Sequence, residues 1–301
     1  MNKGNSSITS LISAFARTHH SQFDSPIIFD DFIAKKLISK IEYHTIKENM
    51  IQGIQFFNNN IAEKFKDNKE EILKWITQVQ LSPTPLARAA YCESVLCNEI
   101  SLGVRQYVIL GAGLDTFCLR NPELENILEI IEIDHPATQE FKKKRLDEVN
   151  FNIPNNLHFV AADFTKQHLN QTQIAHHKKT FFSLLGVSYY LTKEEFLRLL
   201  ERLFSKVPAG SSIVFDYGDE RLFKEKGFSN RVENMVKMAA AGGEPMKSCF
   251  SYSELEKMLE KVNLLVYEHL SPAQIDERYF SNRNDYLKAF ESIHYIHAVK
   301  K

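Results

Sequence analysis

The stretch Tyr107-Val-Ile-Leu-Gly-Ala-Gly-Leu-Asp-Thr116 decides the fold of this chain. Four apolar residues run directly into Gly111-Ala112-Gly113, the pattern of a buried strand ending in a turn where backbone approaches a ligand with no Cβ in the way. A carboxylate, Asp115, follows at once. Gly-x-Gly alone also marks ordinary tight turns, so the flanking sequence carries the decision.

Downstream, short apolar runs alternate with amphipathic segments. Strands are predicted over 106–112, 127–134, 156–163, 179–186 and 211–218, each followed by helix or loop, the signature of a parallel sheet with crossover helices. Thr192 with Glu195 three residues on forms a capping box, Phe196, Leu199, Leu200, Leu203 and Phe204 make one apolar stripe, and Pro208-Ala-Gly210 stops the helix. A further helix with Leu255, Met258, Leu259 and Val262 on one face leads to two last strands, 264–270 and 292–300, the final one expected antiparallel beside the sixth. Residues 219–250, with Gly242-Gly243 near their end, are too long for an ordinary connection and are expected to form a lid or helical insertion.

Upstream, residues 1–100 are expected to be helical. One helix opens at Asp30-Asp31 and carries Phe32, Ile33, Leu37, Ile38 and Ile41 at helical spacing; others cover 52–65 and 70–79. Leu81-Ser-Pro-Thr-Pro-Leu86 breaks the pattern, because neither proline continues a helix, and a helix is expected to resume at Ala87 and run to about Leu102.

Composition narrows the function classes. Hydrophobic residues make up 44% of the 301, enough for a sizeable core, so disorder is not expected. Lys plus Arg (37) nearly cancel Asp plus Glu (38), which leaves no global charge to draw nucleic acid or anionic membrane. The basic runs Lys142 to Arg145 and His176 to Lys179 are short and read as solvated surface. Met1 to Ser10 lacks the pattern of a signal peptide, and the longest apolar-rich run, Phe181 to Leu191, is too short to span a bilayer. Cys92, Cys97, Cys118 and Cys249 form no CxxC and no metal-ligand spacing, and are read as reduced thiols. A soluble, cytoplasmic protein with no metal is expected.

Ligands of open α/β sheets bind outside the carboxyl ends of the strands, where strand order reverses. Each of the first three such ends carries an acid: Asp115, Asp134 and Asp163. Asp134 follows the glycines by about 20 residues, the distance at which a doubly wound fold reads a ribose hydroxyl. Singly, each acid has a structural alternative, a helix cap for Asp115 and Asp134 or an Asx-turn for Asp163; three in succession point to a nucleoside. The third glycine of a dinucleotide fingerprint is missing near Phe117-Cys118, and Asp115 would repel a pyrophosphate. S-Adenosylmethionine, with a cationic sulfonium and an amino-acid tail, suits so acidic a site.

With these residues together, the chain resembles the leucine carboxyl methyltransferase family, in its bacterial branch of small-molecule O-methyltransferases. The resemblance covers nearly the whole chain and rests on Leu86-Ala-Arg-Ala-Ala-Tyr91, Val-Ile-Leu-Gly-Ala-Gly-Leu-Asp115, Glu-Ile-Asp134-His-Pro with Phe141-Lys142, Val160-Ala-Ala-Asp163-Phe, Gly186-Val-Ser-Tyr-Tyr-Leu191 and His297-Ala-Val-Lys300. It implies a Rossmann-like, seven-stranded class I methyltransferase sheet, a helical cap from residues 1–100, a methyltransferase domain over 101–301 and a lid at about 219–250. It also implies that Arg88 pairs with the carboxylate of S-adenosylmethionine, that Gly111, Ala112 and Gly113 pass beneath its methionine moiety with Asp115 beside them, and that Asp134, next to His135, holds the ribose while Asp163 and Phe164 frame the adenine. Family members commonly carry Glu before the Gly-Val of the fourth-strand motif; here that position is Leu185.

The implied acceptor is a small molecule with a carboxyl or acidic hydroxyl group, polyketide-like or another secondary metabolite. A carboxylate needs no general base. For an alcohol or phenol, Tyr189, Tyr190, His19 and His20 are the candidates by type, and Arg17 could orient an acidic acceptor or the cofactor tail. Among the 22 phenylalanines, Phe23, Phe29, Phe56, Phe57 and Phe228 could line an apolar acceptor pocket. Three other readings stand beside this one: a non-catalytic binder of S-adenosylmethionine, motivated by Leu185; methylation of a protein's terminal carboxylate; and nicotinamide-dependent oxidoreduction, which lacks its third glycine.

Overall fold

Period-two alternation sends Tyr107 and Ile109 to one face of a sheet and Val108 and Leu110 to the other; both faces are covered, so the whole of β1 (Gln106–Leu110) is buried. The structure, a computed structural model, describes residues 7–163 and 174–301. Strands β2 (Glu129–Asp134), β3 (Leu157–Ala161), β4 (Thr180–Leu184), β5 (Ser212–Gly218), β6 (Leu264–Leu270) and β7 (Ile293–Lys300) join β1 in a seven-stranded sheet of order β3-β2-β1-β4-β5-β7-β6. Strands β1 to β5 are parallel, and β7 is antiparallel to both β5 and β6. The α/β class and the antiparallel last strand are those the sequence predicts; β7 lies between β5 and β6. β1 and β4 end earlier than expected, because Gly111 and Gly186, both at φ +72°, turn the backbone out of the sheet.

The Pro83–Ser101 helix covers one face, packing Leu86, Tyr91 and Val95 with Tyr107, Ile130, Phe181 and Tyr295. Helices Lys193–Phe204 and Tyr252–Lys261 cover the other, through Phe196, Leu199, Leu203, Leu255 and Leu259. Each such Leu or Phe contributes roughly 1.5–3 kcal/mol by leaving water. The expected capping box forms: Glu195 N donates to Thr192 Oγ1, and Thr192 N donates to Glu195 Oε2.

The N-terminal region is helical but more broken than its periodicity suggests. The segment opening at Asp30-Asp31 yields only the helix Ala34–Leu37; Ser39 then starts a new helix, Lys40–Gln52, with its own capping box to Glu42, and Ile41 ends up exposed. Residues 52–65 are split at Asn58, whose side chain accepts from the N–H groups of Asn60 and Ile61. Pro83 and Pro85 do not delay the next helix. Pro83 begins it, because a first-turn proline gives up an N–H that has no helical partner anyway.

After β5, residues 219–250 contain the turn Phe228–Asn230 and the helix Arg231–Ala241. Among the described residues no helix is long and apolar enough to cross a membrane, and no group of His, Cys, Asp or Glu could hold a metal ion. Strand order reverses between β1 and β4, and the candidate site opens at their carboxyl ends.

Candidate functional site

A cavity of about 520 Å³ lies at the reversal point. Helical spacing places Pro85, Arg88, Ala89, Cys92 and Glu93 of the Pro83–Ser101 helix on the one stripe that faces it. The turns after β1, β2 and β4 supply Gly111 to Thr116, Asp134 with His135, and Leu185 to Val187; Ala162 and Asp163 follow β3. The roof comes from two distant segments: Ser7, Thr9, Ser10, Ser13 and Arg17 at the start of the Ile8–Phe23 helix, and Gly243, Glu244, Pro245 and Lys247 after β5. Of the residues singled out from sequence, Arg17, Arg88, Gly111, Ala112, Gly113, Asp115, Asp134, His135, Asp163, Leu185 and Tyr190 all line this cavity. Phe164 lies outside the described residues.

The glycine turn and the second strand are tied to each other. Asp134 Oδ2 accepts the Gly113 N–H at 2.5 Å and Oδ1 accepts the His135 N–H at 2.6 Å. Burial pushes the Asp134 carboxyl above the usual carboxylate range, against the pull of those two N–H groups. The helix Pro136–Glu148 is capped by His135, whose Nδ1 accepts from Ala137 N, and not by Asp134. Asp115 is not the cap of the next helix, since the cap position of Phe117–Arg120 is Thr116; its Oδ1 accepts the Phe117 N–H at 2.8 Å in an Asx-type turn, and the residue lines the cavity. Gly113 has φ +53°, and a Cβ there would meet Ser10 Cβ at 3.0 Å, so its missing side chain admits the N-terminal helix onto the turn.

Arg88 enters from its helix with Nη1 donating to Tyr189 Oη and Asp216 Oδ2, both at 3.1 Å. Burial works against its charge, but Asp216 more than compensates and holds the guanidinium protonated. Arg17 has a different geometry. Its Nε donates to Asp31 Oδ2, Nη1 to Ser13 Oγ and Nη2 to the Leu114 carbonyl, which occupies all three nitrogens in fastening the N-terminal helix to the glycine turn. Burial would raise the Asp31 carboxyl, yet Arg17 and Arg120 hold it below the usual range.

The proposed bases fare unequally. Tyr190 lines the cavity, and burial with the charge of Glu244 pushes its phenol up to about 12, so it is a protonated donor at neutral pH. Tyr189 is buried in the Arg88–Asp216 cluster. His19 bonds Tyr43 Oη; His20 bonds Asp24 and the Ile28 N–H; neither lines the cavity. The aromatic acceptor pocket expected from Phe23, Phe29, Phe56, Phe57 and Phe228 does not form, since only Phe29 reaches the cavity and Phe23, Phe56 and Phe228 are exposed.

Sequence reasoning missed Glu132, Asp216 and Glu244, and the run from Lys142, read as solvated surface, begins with a buried residue. Lys142 Nζ donates to the Asp115 carbonyl at 2.6 Å and to Glu132 Oε2 at 2.5 Å, a buried pair that props the glycine turn from below. Asp216 anchors Arg88. Glu244 Oε2 accepts the Thr9 hydroxyl at 2.5 Å and the Ser7 hydroxyl at 3.2 Å, which joins the two parts of the roof. Glu132 and Asp216 did carry a signal: a charge inside a strand buried on both faces has to meet a partner.

The residues present fit S-adenosylmethionine. Arg17, Arg88 and Arg120 each have a carboxylate partner, whereas among the described residues Asp115 and Asp134 have no ion-pair partner, so the cavity keeps negative charge for a sulfonium and an ammonium. Arg88 lines the same cavity with its guanidinium against Gly186, and the turn from Gly111 to Gly113 carries no side chain at either glycine.

The family model described as leucine carboxyl methyltransferase matches residues 10–204. The chain is 64% identical over 304 aligned positions, 100% of each protein, to YktD of Bacillus subtilis, which is named provisionally as an S-adenosyl-L-methionine-dependent methyltransferase. A Mycobacterium tuberculosis protein with the same provisional description is 27% identical over 222 residues, 70% of this chain and 60% of that protein. Among solved structures, the magnesium protoporphyrin IX methyltransferase of Synechocystis with bound S-adenosylmethionine aligns with a TM-score of 0.45 at 12% identity, over 73% of this chain and 82% of that one.

Proposed function

The chain belongs to the leucine carboxyl methyltransferase family and is an S-adenosylmethionine-dependent methyltransferase; from that premise we propose that it methylates a carboxyl or acidic hydroxyl oxygen of a small molecule. The observation that carries this reading is the roofed cavity of about 520 Å³, in which the strand-end carboxylates and Arg88 share one space; among the described residues lining it, His135 is engaged as a helix cap, its Nδ1 accepting from Ala137 N, and Tyr190 is held protonated. When bound, the cofactor supplies a methyl group activated on a sulfonium.

The rest is the work of the chain. Asp134 holds the ribose and Asp163 the adenine, with His135 beside them; Gly111, Ala112 and Gly113 run beneath the methionine moiety, flanked by Asp115 and Leu185; Arg88 pairs with its carboxylate. Arg17 keeps the glycine turn in place. Tyr190, held neutral, donates a hydrogen bond to an acceptor oxygen and does not take its proton. In this reading the acceleration comes from alignment and exclusion of water by the roof. Residues 1–100 act as a helical cap, 101–301 as the methyltransferase domain and 219–250 as a lid. Neither nucleic acid nor membrane is a partner, and the setting is cytoplasmic.

A second reading, methylation of a protein's terminal carboxylate, has the family's name in its favour and the same chemistry. The roof built by Ser7–Ser13 and Gly243–Lys247 favours the smaller acceptor. The test is incubation with methyl-labelled S-adenosylmethionine and a panel of carboxylic acids, phenols and peptides with free carboxyl ends. Label that transfers to small acids and is released by mild alkali, as an ester is, supports the proposal. Alkali-stable label on a small phenol, as in an ether, supports it for the acidic hydroxyl; label on peptides alone, or on no member of the panel, overturns it.

A further inference from the structure

Asp216 sits inside β5 with none of its surface exposed, and a charge so placed has to be matched by donors. Three of them converge on it. Oδ1 accepts the Gly186 N–H at 2.6 Å, and Oδ2 accepts Arg88 Nη1 at 3.1 Å and the Tyr189 hydroxyl at 3.2 Å. Its own carbonyl accepts the Ser188 hydroxyl at 2.5 Å. One residue therefore organises the whole turn after β4 together with the arginine reaching in from the Pro83–Ser101 helix.

Two features show that the arrangement serves the site. Arg88 lines the cavity and Asp216 does not, so the carboxylate acts from behind the arginine. Position 186 must also be glycine for the guanidinium to lie where it does, because a Cβ there would stand 2.5 Å from both Nη1 and Nη2. Register gives a third point: Leu184 pairs with Phe215, so Asp216 stands across from Leu185 on the neighbouring strand. The negative charge absent from position 185 is present one strand away, directed at the backbone of the same turn.

We propose that Asp216 is a positioning residue for cofactor binding, holding Nη1 of Arg88 and the Gly186 N–H so that the other guanidinium N–H groups meet the amino-acid carboxylate of S-adenosylmethionine. This rests on the reading of Arg88 given above. With leucine at position 185, the turn after β4 is ordered by a neighbouring carboxylate that does not line the cavity.

The experiment is calorimetric titration of the full chain with S-adenosylhomocysteine, which has the amino-acid tail, and with methylthioadenosine, which lacks it. Asp216→Asn is expected to weaken S-adenosylhomocysteine about tenfold, the worth of one charge-assisted hydrogen bond, and to leave methylthioadenosine within about twofold. Arg88→Ala is expected to show the same selectivity. If Arg88→Ala weakens both ligands equally, or neither, the reading of Arg88 falls. If Arg88→Ala is selective while Asp216→Asn affects both ligands equally or not at all, the positioning role alone falls. Should Asp216→Asn not fold, Asp216→Glu, which keeps the charge and moves it by one methylene, takes its place under the same criteria.

Discussion

Gly186 joins backbone conformation to ligand chemistry in a single residue. It holds φ +72°, donates its N–H to Asp216, and leaves the space in which the Arg88 guanidinium lies. Gly186→Ala is expected to cost about 1–2 kcal/mol for the left-handed backbone and to push the end of Arg88 aside. Gly103, at φ +98° with open space within 4 Å of where a Cβ would stand, supplies the control. Thermal unfolding should show comparable losses for Gly186→Ala and Gly103→Ala, while S-adenosylhomocysteine titration should show about a tenfold weakening only for Gly186→Ala; equal affinities would remove Gly186 from the site. At this scale the sequence was informative about what lines the cavity and silent about what supports it. Asp134 and Asp163 are legible because strand ends are local features. Asp216 and Arg88 are 128 residues apart, and no spacing rule connects them.

The Ile8–Phe23 helix packs Phe15 and His19 against Tyr43 and presents its serines to the cavity. Burial lowers the His19 pKa to about 4 from an ordinary value near 6.5, so the imidazole is folded in neutral form. A base whose folded pKa is depressed contributes stability that is complete above the unfolded value and is lost as pH falls from about 6.5 toward 4. The loss is expected to reach at most about 3 kcal/mol. Unfolding of the wild type and His19→Gln across this window should show the difference between them shrinking as pH falls; a constant difference would mean His19 does not titrate on unfolding. The elements themselves were readable where one pattern dominated. The Lys193–Phe204 helix, with its capping box and apolar stripe, is the clear case. Around Ser39 and Asn58 two signals competed, and local side-chain caps broke runs that apolar spacing alone would have continued.

Two regions remote in sequence close over the cavity, joined by the hydroxyls of Ser7 and Thr9 on Glu244. Cofactor held beneath them is expected to stabilise the closed arrangement. At a hundred times its dissociation constant S-adenosylmethionine should add about 2.7 kcal/mol, a rise of a few degrees in Tm for a chain of this size. Amide exchange should slow in Ile8–Arg17 and Gly243–Lys247 as well as in the glycine turn. Protection confined to the glycine turn would show that the roof does not close on the ligand.

The order of apolar runs, the Gly111-Ala-Gly113 turn and the acids that follow the strands were determined by the sequence alone, because strand period, turn chemistry and strand-end position are properties of contiguous residues. The family resemblance rests on those stretches together with residues 86–91, 186–191 and 297–300. Tertiary structure decided which charges are matched: Glu132 with Lys142, Asp31 with Arg17 and Arg120, Asp216 with Arg88. It also decided that Arg17 fastens the turn, that Tyr190 stays protonated, and that serines of the first described helix roof the cavity. The physical reason is that a buried charge takes its partner and its proton affinity from whatever the fold packs against it, and that neighbour is set by chain crossing over long separations, which no local pattern encodes.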